Sequence, residues 1–391
     1  MKIGLALSGG GFRATVFHLG MLARLAEDNH LEEVTFLSTV SGGSLCAGLV
    51  HAINGFAWPA SGELINKVIP KARELLTTQD LQRGLIWRVL TSPLNIFETR
   101  ANDLSALMKE RWGITAKLSD LPKQPRWMIN ATCYETGKDW RFERFRMGDY
   151  QFGYTFDTNI PLSDAMAASA GFPGLIGALA FDTRPYSWFK YADKSKELKE
   201  PTDPDSDMKR TTVPITPPYP KVHLWDGGAY DNLGLESLHN FIEGWREGVD
   251  FLAVSDASGK SGPEAYQPGP KALYRMITGI MMDQIRSLRS RAIWERFINH
   301  KDAGGFFQIG NTCRGVLENA GRQDDIAKLC PQCMSVEEAK LAAATPTMIR
   351  QLTHDEFERL FRHGFEVADI TLYAYYPDQF KFIGYKNSRS G

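Results

Sequence analysis

KIGLALSGGGFRA (Lys2–Ala14) and VTFLSTVSGGS (Val34–Ser44) each run from an apolar segment straight into small residues. Lys2–Ser8 reads as a short buried strand and Gly9–Gly11 as a turn. Arg13–Asp28 reads as a helix, because Val16, Leu19, Leu22 and Leu25 recur along one side. Val34–Val40 is β-rich, and Ser41-Gly42-Gly43-Ser44 opens a small-residue helix containing Ala47, Gly48 and Val50. The strand, turn, helix unit thus occurs twice, and no further internal repeat follows.

Working outward, the pattern between Gly62 and Thr115 is helical. Trp127–Tyr134 and Trp140–Phe145 flank Glu135-Thr136-Gly137-Lys138 as a β-hairpin. Residues 194–220 combine prolines with a dense charge run and predict a long, mobile loop. Val222–Trp225 is a strand entering Asp226-Gly227-Gly228, and Phe251–Val254 is another short strand. Lys271–His300 and Thr353–Tyr373 are long helices, the second opened by the capping box Thr353-x-x-Glu356. Alternating strands and helices predict a mostly parallel sheet. The length, 391 residues, suits two or three domains of about 150 residues or one large α/β domain with insertions. We take a single domain over 1–391, with 300–391 as a helical C-terminal extension of it.

Composition narrows the function classes. Hydrophobic residues at 43% and charged residues at 23% describe a folded chain. Lys+Arg 45 against Asp+Glu 46 leaves no global field to hold nucleic acid, so a charged partner must meet a local patch. Five cysteines do not make a disulfide scaffold. The opening residues carry no signal-peptide core, so the cytoplasm is the expected compartment. The uncharged run around Gly171, Pro173, Gly174 and Gly177 is too short and broken to span a bilayer.

A parallel sheet offers its ligands at the carboxyl ends of its strands, which directs attention to the two glycine turns. Thr39-Val40-Ser41-Gly42-Gly43 nearly matches the G-x-S-x-G elbow that lifts a serine hydroxyl clear of a sheet. Gly42 and Gly43 would leave room for a substrate carbonyl, and the helix N-terminus would favour developing negative charge. The plainer alternative is an N-cap serine. Gly9, Gly10 and Gly11 can aim backbone N–H groups at an oxyanion, each worth about 3–4 kcal/mol there. A phosphate cradle competes, although no Lys-Ser or Lys-Thr pair follows at the required spacing. Asp226 could serve as the base for Ser41, and Asp-Gly-Gly could equally be a simple turn. A Ser-His-Asp triad would draw on His300, His354 or His363, while His18 and His223 read as packed or capping residues.

Together these three motifs resemble the patatin-like phospholipase family. Gly9 to Ala14 is similar to its G-G-G-x-R/K-G motif, Ser41 to its elbow serine and Asp226-Gly227-Gly228 to its D-G-G/A motif. Ala167 to Pro173 resembles the family's A-S-x-x-x-P block, and Asp283 to Arg289 is similar to a helix in bacterial members. Thr39 and Ala14 stand where the pattern has glycine, and Arg13-Ala14 is similar to the cytosolic group IV phospholipases. The resemblance implies a three-layer α/β sandwich with helices on both faces of a mostly parallel sheet. It further implies a Ser41–Asp226 dyad without histidine, an oxyanion hole at Gly9, Gly10 and Gly11, and Arg13 beside a head-group phosphate. The implied substrate is membrane phospholipid, met by a cytoplasmic protein peripheral at the membrane, with no cofactor. Some bacterial members answer a cyclic nucleotide in antiphage signalling, which adds a small-molecule activator or homo-oligomer as an expectation. A non-catalytic acyl-lipid or nucleotide-binding module and a triad esterase are the competing expectations.

Three features remain. Leu85–Phe97, with Trp87, Ile96 and Phe97 beside Arg83 and Arg88, has interfacial character, with an ordinary buried helix as the preferred alternative. Arg286, Arg289 and Arg296 recur at helical spacing as a basic stripe toward lipid, partner or solvent. Cys330-Pro331-Gln332-Cys333 has knuckle spacing with no second pair, and no metal is expected there.

Overall fold

Both opening units form as the sequence predicts. β1 (Ile3–Leu7) passes through the glycine turn into α1 (Gly11–Glu27), and β2 (Val34–Val40) passes through Ser41 into α2 (Gly42–Ile53). The computed structural model describes residues 1–91, 100–174, 176–192, 212–240, 242–259, 262–300 and 303–385. β3 (Arg126–Cys133) and β4 (Lys138–Phe142) make the expected hairpin around Gly137. β5 (Met147–Asp149), β6 (Gly153–Thr155), β7 (Leu179–Asp182), β8 (Trp188–Tyr191), β9 (Thr212–Ile215) and β10 (Lys221–Asp226) follow. β11 (His239–Asn240) and β12 (Gly244–Trp245) form a small ribbon, and β13 (Phe251–Asp256) and β14 (Gly304–Gln308) complete the main sheet.

Its order begins β14-β13-β1-β2-β3, all parallel, and continues antiparallel through β4, β5, β6, β8 and β9. Strand alternation splits the core into two layers. Leu5, Leu7, Phe251 and Ala253 join α1 and α2 on one face, while Ala6, Leu252 and Val254 face Ile293 and Phe306 on the other. This is the expected three-layer arrangement. Helix His354–Tyr375 packs along α1, and the buried pair Arg24–Asp369 at 2.5 Å ties the two together.

The structure departs from the sequence reading in four places. Within the loop expected at 194–220, Thr212–Ile215 is a strand paired with β8, because at a sheet edge Pro214 costs no ladder hydrogen bond; 194–211 lies outside the described residues. The helical extension 300–391 begins with β14, whose Phe306 and Phe307 point to opposite layers of core. In helix Leu81–Thr91 only one turn of the apolar run is spent on the core: Leu85 is buried, while Ile86, Trp87 and Leu90 are exposed, against the preference for a buried helix. Leu94, Ile96, Phe97 and the Val89 side chain lie outside the described residues. Finally, the basic stripe faces inward. Arg286 and Arg296 are buried, Arg286 pairs with Asp256 at 2.9 Å, and Arg289 binds Glu236 at 2.8 Å. Desolvated guanidiniums need such partners, so Arg286 and Arg289 are held in internal ion pairs and form no outward stripe.

Candidate active site

Sheet register builds the site. β4 occupies one edge of β3 over Ile129–Cys133, leaving the other edge to β2 and β10. On that edge Val40 pairs with Asn130 and Asp226 pairs with the next residue, Ala131. β2 and β10 therefore run head to head, and the residue following one meets the last residue of the other.

Ser41 sits at φ 50°, ψ −113°, a conformation strained for a residue with a side chain. Its hydroxyl makes no cap bond to α2, which sets aside the N-cap reading, and Ser41 shares the cavity wall with Asp226. Asp226 is buried, and its Oδ1 accepts from Gly228 N–H at 2.7 Å. Burial pushes the Asp226 carboxyl up to about 6, against the opposing pull of the Gly228 N–H and the nearby Ser41.

What holds the strained turn was not foreseen. The Ser41 N–H donates to Ser169 Oγ at 3.0 Å, and Ser169 donates to the Asn130 carbonyl at 2.7 Å. With that proton committed, the directions upstream follow: Ser44 donates to Ser169, Thr39 to Ser44, and the Trp127 indole N–H to Thr39, at 2.8, 2.8 and 2.9 Å. Thr39, the departure from elbow glycine, is thus a working member of a buried relay. Ser169 and Gly171 also accept, through their carbonyls, the N–H groups of Gly227 and Asp226 at 3.2 Å each. The A-S-x-x-x-P resemblance was the available signal for Ser169. Asn232 had none: it lies between Gly9 and Gly228 and donates to Ser258 at 2.8 Å.

Several expected site residues have other work. The Gly9 N–H donates to the Asn232 carbonyl at 3.1 Å, which removes it from an oxyanion hole and leaves Gly10 and Gly11, both lining the cavity. A Cβ on Gly42 would stand 2.4 Å from the Gly11 carbonyl oxygen, and one on Gly43 2.3 Å from that of Leu7. These two glycines admit the neighbouring turn, and the space expected for substrate is filled by backbone. Arg13 Nε and Nη1 donate to the carbonyls of Ala257 and Thr345 at 3.1 and 2.7 Å, and burial lowers its pKa to about 10. It braces the glycine turn from behind, and it does not line the cavity.

The cavity measures about 310 Å³, with Gly10, Gly11, Ser41 and Asp226 in its wall and Leu45, Phe172 and Ile176 adding an apolar side. Among the described residues no histidine lines it. His18 Nε2–H donates to the Ser8 carbonyl at 2.9 Å, its Nδ1 accepts from Ser255, and burial lowers its pKa to about 4. His363 accepts from Gly310 N–H at 2.9 Å, and burial likewise lowers it to about 4. His223 pairs with Glu135, His354 starts its helix at the exposed end, and the His300 side chain lies outside the described residues. Cys330 Sγ stands 3.4 Å from Cys313 Sγ, and among the described residues no three potential metal ligands converge.

The family model for patatin-like phospholipase matches residues 5–239, which hold the triglycine turn, the Ser41 elbow and Asp226. The chain belongs to this family. No curated protein matches the chain. Among solved structures, this patatin-like protein is similar to human GIVD cytosolic phospholipase A2 at 15% identity and TM-score 0.53, over 95% of this chain and 61% of that one. The same human protein in complex with methyl gamma-linolenyl fluorophosphonate matches at 16% identity and TM-score 0.49, over 97% and 59%. VipD from Legionella pneumophila matches at 12% identity and TM-score 0.34, over 94% and 66%. The patatin-like chain thus spans about three-fifths of the human protein's length.

Proposed function

We propose that the protein is a lipid acyl hydrolase that cleaves fatty acyl esters of membrane phospholipids through a Ser41–Asp226 dyad. The observation carrying this reading is that the strained Ser41 and a buried Asp226, whose carboxyl is raised to about 6, stand at the converging ends of two strands paired with β3 and line one cavity. An aspartate so tuned is ionised at neutral pH yet basic enough to accept a proton.

In the first step Asp226 takes the Ser41 proton while Ser41 Oγ bonds the ester carbonyl carbon. Charge on the carbonyl oxygen is met by the N–H groups of Gly10 and Gly11 at the amino end of α1. Collapse breaks the ester C–O bond, and Asp226-H returns its proton to the departing alkoxide. Water then attacks the acyl-serine carbonyl, giving its proton to Asp226; as the bond to Ser41 Oγ breaks, Asp226-H returns that proton to Oγ and the fatty acid leaves. The protein works at the membrane surface, where its substrate resides.

Fatty acid release from dispersed phospholipid tests this reading. Ser41→Ala and Asp226→Asn should each abolish release while melting as folded proteins. Undiminished release by either would reject the dyad, and binding without turnover by the parent would favour a non-catalytic lipid module.

A further inference from the structure

The helical run that roofs the cavity carries an apolar stripe on its outer side. It comprises Pro270–Tyr274, the π-helical turns Arg275–Met281 and Met282–Glu295. Tyr274, Thr278, Met282 and Arg286 line the cavity from it. Leu273, Met276, Ile277, Ile280, Met281 and Leu288 recur at helical spacing and are 46–64% exposed. A second exposed apolar group, Ile86, Trp87 and Leu90, stands on helix Leu81–Thr91. The first turn of that helix is tied to the same cavity, since Gln82 N–H donates to the carbonyl of Ile349, a lining residue.

We propose that these two apolar groups form one docking surface that seats the cavity on a lipid bilayer. The proposal rests on the reading of the cavity as a lipid hydrolase site and names the membrane partner that reading requires. Three observations select a bilayer as the occupant. First, the stripe and part of the cavity wall belong to one helical run, so a bilayer held by the stripe lies against the segment that lines the Ser41 cavity. Second, exposed Lys271 and Arg83 accompany the two groups, which suits anionic head groups. Third, among the described residues no helix is long and apolar enough to cross a membrane, so the stripe would lie in the interface plane. A run of π turns beside a cavity is also a frequent mark of a functional segment.

The test uses the full chain with Ile277→Glu/Ile280→Glu and, separately, Leu288→Glu, none of which lines the cavity. Co-sedimentation with mixed phosphatidylcholine–phosphatidylglycerol vesicles should show at least about a tenfold loss of affinity for the double variant and a smaller loss for the single one. Hydrolysis of a dispersed short-chain ester should stay within about twofold of the parent, because the reacting groups are untouched. Parent-like vesicle binding by the double variant, or a parent that binds no vesicles, overturns the proposal. So does vesicle binding kept alongside a lost dimer in sedimentation velocity, which would assign the stripe to a second copy. Ser41→Ala should still bind vesicles, so an inactive parent that co-sediments would fail the hydrolase reading and leave the docking surface standing.

Discussion

Ser41 and Asp226 meet because β2 and β10 end against consecutive residues of β3, Val40 opposite Asn130 and Asp226 opposite Ala131. One strand is parallel to β3 and the other antiparallel, so their carboxyl ends converge on one edge. The site is therefore set by backbone pairing, and the turns only have to present the side chains.

That geometry makes Ser169 the residue through which both turns are held. Ser169→Ala removes the acceptor for the Ser41 N–H and cuts the relay from Trp127. The expected result is a stability loss of roughly 1–3 kcal/mol, read by thermal melting, with kcat falling and KM nearly unchanged. An unchanged kcat would show that the elbow holds its strain without the relay.

In the proposed mechanism Asp226 must be ionised to accept the Ser41 proton, so kcat/KM should fall below about pH 6, by roughly tenfold per pH unit. A pH profile on a soluble ester measures it. A limb near pH 7 or above that moves with a histidine substitution would point to a triad.

The same shift fixes a stability effect of defined sign. Because burial raises the folded Asp226 pKa from 3.8 to about 6, its contribution is fully present below pH 3.8 and is lost as pH rises through about 6. Asp226→Asn should accordingly stabilise the protein above pH 7, by roughly 2–3 kcal/mol, and have little effect near pH 4. Melting curves at the two pH values decide it.

Arg13 separates bracing from substrate recognition. Arg13→Gln loses both carbonyl bonds behind the glycine turn, so turnover of phospholipid and of a neutral ester should drop by the same factor. A drop confined to phospholipid would return Arg13 to the head-group phosphate.

Much of this was legible in the sequence. The two opening units follow from apolar strands ending in glycines and from helical periodicity, both local signals. Ser41 and Asp226 were legible as turn residues at strand ends. Their meeting was not, because it depends on β10 pairing with a strand far from it in sequence. The work of Gly42 and Gly43 was misjudged for a related reason: bare α-carbons suit a substrate and a neighbouring backbone equally, and only packing tells which is there. Burial of Arg286 was equally hidden, since its closest acidic partner, Asp256, lies on another element.

Packing at these glycines can be checked directly. Gly42→Ala forces the Gly11 carbonyl aside and should cost roughly 1–3 kcal/mol in thermal or denaturant unfolding. Gly62→Ala, where a Cβ meets nothing within 4 Å, should be neutral or stabilising by up to about 1 kcal/mol.

The most direct measurement is intact-protein and peptide mass spectrometry after reaction with an alkyl fluorophosphonate. A dyad built on Ser41 predicts one adduct, located at Ser41, formed by the parent and abolished in Asp226→Asn. An adduct on another residue, or labelling of Ser41 that proceeds unchanged without the Asp226 carboxylate, would contradict it.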